Sequence, residues 1–126
     1  MNRKQTERYG WIVLELSKYG LDLREIDTLV RAERTLGRWG VAECNGEIQR
    51  DEATGKPVNG YTRTAIPDRE TATLARIDKI VKAHKLEYYH QGDPRGCALY
   101  IIRPGDIANG QKVDCCYNRG LAICID

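Results

Sequence analysis

The first forty residues carry their apolar side chains at helical spacing. Within residues 4–19 this repeat predicts one helix, which ends near Gly20. A second helix opens at Asp22, because Glu25 three residues later completes a capping box in outline. The inward-facing positions are Tyr9, Ile12, Val13 and Leu16, with Tyr19 or Leu14, in the first helix, and Ile26, Leu29, Val30 and Leu36, interrupted by Glu33, in the second. Residues 1–40 are therefore predicted to be the helical N-terminal part.

The clearest helical repeat covers residues 68–85. Asp68 is its predicted N-cap, and one face is formed by Leu74, Ile77, Ile80, Val81 and His84. The preceding residues 41–67 are rich in Gly, Thr, Pro, Asn and Asp, a composition that is typical of loops. Within them, residues 47–58 are predicted to form a short exposed hairpin whose tip is ATG flanked by charged residues.

Two apolar runs on either side of a polar turn predict a β-hairpin. Its strands are Leu86–Gln91 and Cys97–Arg103, and the intervening DPRG, residues 93–96, has the residue types of a type I turn. The run CALYII has no polar break, which favours a central strand that is covered on both faces. Arg103-Pro104-Gly105-Asp106 is a second predicted turn, with Pro then Gly as a type II turn prefers.

Two shorter apolar runs predict two further strands, Val113–Tyr117 and Leu121–Ile125, joined by the loop Asn118-Arg119-Gly120. The predicted fold is a single α+β domain, with about three helices on one face of a small, mainly antiparallel four-stranded sheet. If the strands follow an up-and-down order, the last strand runs away from the first hairpin tip. Arg95 and Arg119 would then lie at the same edge of the sheet.

Bulk composition narrows the function classes only a little. The 126 residues are 41% hydrophobic and 30% charged, as in ordinary globular domains. A net charge of +2 gives no argument for nucleic acid. No apolar run is long enough for a membrane span, and the charged N-terminus is not followed by a signal-peptide core. A cytosolic protein is expected.

The five cysteines show no metal-binding pattern. Zinc ligands come in pairs at CxxC-like spacing, and no such pair occurs. Cys115 and Cys116 are adjacent, so on a strand they point to opposite faces. Buried free thiols are therefore expected, with no metal and no other cofactor.

Known catalytic motifs for nucleotide, peptide or ester chemistry are absent from the sequence. One enzymatic alternative uses Cys97 with His90, which lie on the paired arms of the predicted hairpin. Buried, converging carboxylate pairs are not indicated, since Asp93, Asp106 and Asp114 all lie in or beside turns. The sequence thus favours a protein that is not an enzyme.

Polar side chains gather at the predicted hairpin ends and form the candidate partner-binding set. Arginine forks beside tyrosines suit an anion or an acidic partner, and they are common in interface hot spots. The alternative is that these are ordinary turn residues that keep loops soluble. The set is Tyr89, Gln91, Asp93, Arg95, Tyr117, Asn118 and Arg119.

Four arginines of the second helix raise a nucleic-acid alternative. Arg24, Arg31 and Arg38 recur every seven residues, with Arg34 beside them, and two helices joined by a Gly-containing turn resemble a helix-turn-helix. Acidic residues are interleaved, however, and the eight basic and six acidic residues of 1–40 leave only +2. A solvated helix face is the competing interpretation.

Several motifs occur together in an order that resembles a known family. They are ECNGEI at 43–48, DEATGKP at 51–57, DRETATLARI at 68–77, YYHQGDPRGCALYIIRPGD at 88–106 and YNRGLAIC at 117–124. Over residues 36–125 the chain resembles a family of small uncharacterised bacteriophage and prophage proteins, and DPRGCALYI is the most specific part. The resemblance implies a phage accessory protein in the cytoplasm of the infected bacterium, and it carries over no catalytic residue.

Small phage proteins of this kind often inhibit host defence systems or modulate host enzymes, so the resemblance implies a host or phage protein as the partner, with an anti-CRISPR-type inhibitor as one form. Binding to nucleic acid or a nucleotide stays open, as does a homodimer. No membrane association is expected.

Overall fold

The computed structural model describes residues 1–36, 50–56, 58, 68–90, 97–106 and 120–125, without the side chains of Tyr89 and His90. Within these ranges, three helices precede three strands. They are α1 (Arg3–Ser17), α2 (Leu23–Thr35), α3 (Asp68–Ala83), β1 (Glu87–His90), β2 (Leu99–Ile102) and β3 (Leu121–Ala122). The predicted α+β class is confirmed.

Capping boxes begin the first two helices. Asp22 Oδ1 accepts from the Glu25 N–H at 2.8 Å, and Glu25 Oε1 accepts from the Asp22 N–H at 3.1 Å, as predicted. Asn2 and Gln5 make the same exchange at α1, where no cap was expected. After α1 the chain reverses through Gly20, whose φ of +91° suits glycine. Local sequence therefore fixes both helix starts.

The third helix ends two residues earlier than predicted. Lys85 has a φ of +58°, and the Leu86 N–H donates to Val81 O at 3.1 Å. A left-handed residue beyond the helix with this bond satisfies terminal carbonyls and turns the chain. It directs the chain from α3 into β1.

The described sheet has three antiparallel strands in the order β1-β2-β3. Glu87 faces Ile102 and His90 faces Leu99 across the first pair. β2 is the central strand, as its unbroken apolar run predicted. The fourth predicted strand, Val113–Tyr117, lies outside the described residues, so the four-stranded sheet stays a prediction.

The direction of β3 corrects the predicted strand order. Leu121 pairs with Ile101 and Ala122 with Tyr100, and the Ile123 N–H continues the ladder by donating to Leu99 O at 3.0 Å. The chain after β3 therefore runs toward the end of the sheet at which β1 finishes, at His90, and β2 begins, at Leu99. The prediction that it runs away from the first hairpin tip is wrong, because the last strand pairs with β2 itself and must run opposite to it.

One hydrophobic cluster joins the helices to the sheet. Its fully buried members are Ile12, Leu16, Ile26, Leu29, Ile77, Val81, Tyr88, Leu99, Ile101 and Ile123. Tyr88 is buried with its hydroxyl donating to Asp78 Oδ1 at 3.2 Å, which joins β1 to α3. Among the described residues, no helix combines the length and apolarity that a membrane crossing requires.

Two predicted turns fall in described parts of the chain. At Arg103–Asp106 the Asp106 N–H donates to Arg103 O at 2.9 Å and Gly105 has a φ of +93°, as in a type II turn. At residues 51–56 the Asp51 side chain accepts from the Ala53 N–H at 2.7 Å inside a tight turn. The arms of the hairpin at 47–58 lie largely outside the described residues, so that hairpin stays a prediction.

Candidate functional site

Two cysteines that are distant in sequence meet at one end of the sheet. Cys97 lies just before β2 and is buried, while Cys124 lies just after β3 and is partly exposed. The Cys124 N–H donates to Cys97 Sγ at 2.9 Å, and Cys97 Sγ itself donates to Leu99 O at 3.1 Å. Both are free thiols. The expectation of a buried free thiol is confirmed for Cys97.

A buried carboxylate from α2 lies beside this thiol pair. Glu33 Oε1 accepts from the Ala98 N–H at 3.2 Å and lies 4.0 Å from Cys97 Sγ. Glu33 is 7% exposed. A buried carboxylate needs such donors, because loss of water is costly for a charge. The residue that interrupts the apolar stripe of α2 therefore holds α2 against the start of β2.

Arg8 of α1 holds the partly exposed side of the pair. Its Nη2 donates to Ala122 O at 2.7 Å and its Nε donates to Cys124 O at 3.4 Å. The guanidinium charge thus lies beside the Cys124 segment. We name Arg8, Glu33, Cys97 and Cys124 the thiol site.

The two thiols differ in acidity. The neighbouring Cys97 side chain lowers the pKa of Cys124 to about 7, against the opposing effects of burial and of the Glu33 charge, and the charge of Arg8 adds a smaller effect in the lowering direction. The pKa of Cys97 is raised, first by its bond to Cys124, then by burial, with the Glu33 charge adding to the effect. Cys124 is therefore the more acidic thiol of the pair.

Most of the predicted partner-binding set lies outside the described residues. Those residues are Gln91, Asp93, Arg95, Tyr117, Asn118 and Arg119, and of Tyr89 only the place in β1 is described. The shared edge for Arg95 and Arg119 was argued from the strand order that β3 contradicts. The His90 side chain is not described, so the predicted Cys97–His90 pair stays a prediction.

The arginines of α2 face solvent. Arg24, Arg31 and Arg34 are exposed, and no ion pair of theirs occurs among the described residues. Arg38 lies outside the described part of the chain. The interleaved carboxylates turn inward instead: Glu25 Oε2 lies 2.8 Å from His84 Nε2, and Asp27 accepts from the Tyr9 hydroxyl, which raises the pKa of that tyrosine.

This sorting of charge extends over the three helices. In residues 1–36 and 68–85, eleven of the twelve Lys and Arg side chains are exposed, against three of the nine Asp and Glu. The inward carboxylates accept hydrogen bonds from Arg103, Ala98 and Tyr88, among other groups. The outer surface of the helices is therefore basic, although the whole chain carries only +2.

α1 also exposes two large apolar side chains on the face opposite the core. Trp11 is 49% exposed and Leu14 is 55% exposed, while Ile12 and Leu16 on the inner face are fully buried. A Cβ on Gly10 beside them would meet nothing within 4 Å. We name Gly10, Trp11 and Leu14 the α1 outer face. Leu14, grouped with the inward stripe in one reading of the sequence, belongs outside.

Sequence reasoning missed both the thiol site and the α1 outer face. A carboxylate inside an apolar helical stripe was the available signal for Glu33, since such a group must find donors. The meeting of Cys97 with Cys124 required the direction of β3. In the described part of the chain, no three His, Cys, Asp or Glu side chains are grouped to hold a metal ion.

Comparison of the chain with protein-family models, with curated proteins and with solved structures finds no match.

Proposed function

We propose that this protein is a non-enzymatic accessory protein that binds an acidic partner protein through the α1 outer face. The observation that carries the proposal is the exposure of Trp11 and Leu14, adjacent on one helix face. Large exposed apolar side chains with a polar surround are typical of interaction sites. Tryptophan in particular supplies a large share of binding energy in protein interfaces.

The shape of this face suits close contact. Gly10 is exposed and leaves the helix backbone uncovered next to Trp11. A glycine in the middle of a helix lowers helix stability by about 0.5–1 kcal/mol relative to alanine. Close approach of a partner's backbone to α1 gives a reason for a glycine at position 10.

The charge around the face indicates the chemistry of the partner. Lys4 is exposed on the same helix together with Arg3, which pairs with Glu7, and Lys18 at its end, which pairs with Glu15; Glu7 is the one exposed acidic side chain among residues 1–18. Opposite charge across an interface steers association and suppresses wrong partners. An acidic surface with an apolar recess for Trp11 fits this arrangement.

The family resemblance supports the setting of the proposal. DPRGCALYI and its accompanying motifs are similar to those of small phage proteins, which often inhibit host defence systems or host enzymes. The partner is therefore sought among proteins of the bacterial cytoplasm, including the effector complexes of defence systems.

The test begins with capture and is decided by purified components. A bacterial protein captured on the wild-type chain and identified by mass spectrometry is purified and titrated against Trp11→Ala and Leu14→Ala. Each variant should weaken binding by about tenfold or more, as for hot-spot side chains. Leu23→Ala, a 58% exposed leucine on α2, is the control and should change affinity little.

Raised salt should slow association of the wild-type chain, because the basic surround acts through screened charges. If the Trp11→Ala and Leu14→Ala variants bind as tightly as wild type, the α1 outer face is not the docking surface.

A second candidate function is nucleic-acid binding by α2. The observation that favours it is the exposure of Arg24, Arg31 and Arg34 without ion pairs among the described residues. Phosphate contacts release counterions, so affinity should fall steeply with salt. Duplex and single-stranded DNA are titrated at several salt concentrations.

Replacing all three arginines with alanine should lower the salt slope by about 3, one unit for each phosphate contact. The matched control replaces Lys79, Lys82 and Lys85, which removes the same charge from α3 and the turn that follows it. Equal effects of the two triple variants would assign any binding to overall charge and not to the arginines of α2.

A further inference from the structure

The thiol site has the arrangement of a redox pair. The Cys124 N–H contacts Cys97 Sγ at 2.9 Å, the two residues flank different strands, and one is buried while the other is partly exposed. A buried thiol has no route to a solvent oxidant, whereas a partly exposed thiol beside a positive charge has one. Attack and resolution can thus be divided between the two side chains.

We propose that Cys97 and Cys124 form a reversible dithiol–disulfide switch that is oxidised by hydrogen peroxide, with Cys124 as the attacking thiol and Cys97 as the resolving thiol. The proposal rests on the contacts of the thiol site and is independent of the α1 outer face. Peroxide is the class of oxidant that fits, because it is small enough to reach a partly covered sulfur.

The first step forms one bond and breaks one bond. The Cys124 thiolate attacks one oxygen of hydrogen peroxide, the S–O bond forms and the O–O bond breaks. The departing hydroxide takes up a proton and leaves as water. Cys124 becomes a sulfenic acid, which is the usual product of thiolate and peroxide.

The second step forms the disulfide. Cys97 releases its proton to Glu33, whose Oε1 lies 4.0 Å from Sγ, and its sulfur attacks Cys124 Sγ. The S–S bond forms, the S–O bond breaks, and the hydroxide leaves as water with the proton that Glu33 returns. In sum, two thiols and one peroxide give one disulfide and two waters.

Arg8 and Glu33 have distinct positions in this scheme. Arg8 donates to Ala122 O and Cys124 O, and so fixes the segment that carries the attacking sulfur. Glu33 keeps its bond to the Ala98 N–H, and its nearest thiol is the resolving one, with Oε1 4.0 Å from Cys97 Sγ. Glu33 is therefore a positioning residue for Cys97 and the acceptor of its proton.

Low-molecular-weight thiols such as glutathione would reverse the reaction by exchange.

Peptide mapping of the unsubstituted full-length chain tests the switch. The chain is treated with hydrogen peroxide, quenched with catalase, alkylated in denaturant and digested with trypsin without reductant. Cleavage after Arg95, Lys112 and Arg119 places Cys97 in peptide 96–112 and Cys124 in peptide 120–126, apart from Cys115 and Cys116. The expected product is the linked pair 96–112 with 120–126, lost again after glutathione.

Two outcomes of the mapping overturn the proposal. One is recovery of Cys97 and Cys124 as alkylated thiols at peroxide doses that oxidise the other cysteines. The other is linkage of Cys124 to a second chain, seen by mixing isotope-labelled and unlabelled protein.

Single variants then test the division of roles. In Cys97→Ser, dimedone should trap a lasting sulfenic acid at Cys124, and in Cys124→Ser, Cys97 should resist oxidation. Oxidation of Cys97 in Cys124→Ser at the wild-type rate would overturn the assignment of the attacking thiol. Glu33→Gln should not slow sulfenic-acid formation, because loss of the Glu33 charge lowers the pKa of Cys124, and it should slow disulfide formation severalfold. An unchanged second step would remove Glu33 from the scheme.

Discussion

At the scale of single residues, buried carboxylates act as acceptors that join elements far apart in sequence. Glu33 receives the Ala98 N–H across a separation of 65 residues. No other acceptor for that N–H occurs among the described residues. The stability lost when Glu33 is replaced should therefore depend on whether the new side chain can still accept the hydrogen bond from the Ala98 N–H.

Replacing Glu33 tests this dependence. Glu33→Ala leaves the buried Ala98 N–H without a partner and should lower the free energy of unfolding by about 1–3 kcal/mol. Glu33→Gln keeps a carbonyl acceptor in nearly the same volume, so it should lower the free energy of unfolding clearly less than Glu33→Ala does. Urea unfolding followed by circular dichroism measures both, and equal losses would contradict the role of Glu33 as an acceptor.

The acidity of Cys124 gives a second prediction at this scale. With a pKa of about 7, its alkylation by iodoacetamide should fall as pH drops below 7 and level off above it. Cys97→Ala removes the side chain that lowers the pKa of Cys124, so the pKa should rise and the inflection should move to higher pH. Peptide-resolved alkylation rates between pH 5 and 9 measure the shift, and an unmoved inflection would contradict Cys97 as its cause.

At the scale of elements, the residue that precedes β3, Gly120, lies so close to β2 that there is no room for a side chain at this position. A Cβ on Gly120 would lie 2.9 Å from Ile101 O and 3.2 Å from Tyr100 Cβ. The backbone of a central strand cannot move aside easily, since it is bonded on both edges. This contact makes Gly120 a requirement of the β2–β3 pairing.

Alanine at two glycines should therefore have opposite effects. Gly120→Ala should lower the free energy of unfolding by about 1–3 kcal/mol, as overpacking does. Gly10→Ala, at an open position in the middle of α1, should raise it by about 0.5–1 kcal/mol through helix propensity. Chemical denaturation of both variants measures the difference, and a stable Gly120→Ala protein would show that the pairing can shift.

Sequence patterns predicted those features that depend on neighbours within a few residues. The capping box of Asp22 and Glu25, the stripe of α3 and the Arg103–Asp106 turn are all local, and all three agree with the structure. The direction of β3 was predicted wrongly because it depends on which strand Leu121 pairs with, and no local pattern encodes that choice. The thiol site was missed for the same reason.

At the scale of the whole molecule, one arginine connects the first helix to the central strand. Arg103 forms two bonds to Asp106, at 2.8 and 3.1 Å, and a third from Nη1 to Glu15 Oε2 at 2.9 Å. Its hydrogen bond to Asp106 raises the pKa of the guanidinium further above its ordinary value, so it stays charged. The two side chains of the long-range pair are only 21% and 10% exposed.

A double-mutant cycle on Glu15→Ala and Arg103→Ala should give a coupling energy of about 1–3 kcal/mol, because neither charge is well solvated. Arg3 and Glu7 provide a matched control, since their side chains are 94% and 67% exposed. Their coupling should be several times smaller. Similar values for the two pairs would show that Arg103 stabilises the turn alone.

The basic helical surface also belongs to this scale, and composition could not predict it. From the sequence, the acidic residues interleaved in α2 were expected to offset the charge of its arginines. Folding separates them, since Asp27 bonds Tyr9 and Glu33 bonds the Ala98 N–H, while Arg24 and Arg31 stay in water. The net charge counts the inward carboxylates and the exposed arginines equally, whereas a binding partner contacts only the exposed arginines.

The bonds from Arg8 to Ala122 and Cys124 span 114 and 116 residues, and they have a consequence for the nascent chain. At typical translation rates, α1 waits on the order of ten seconds for these partners to leave the ribosome. During that interval the apolar side chains of its inner face, Ile12 and Leu16, have no sheet to cover them. Productive folding therefore depends on this segment avoiding aggregation during synthesis, and coexpression with a chaperone that holds nascent chains should raise the soluble yield.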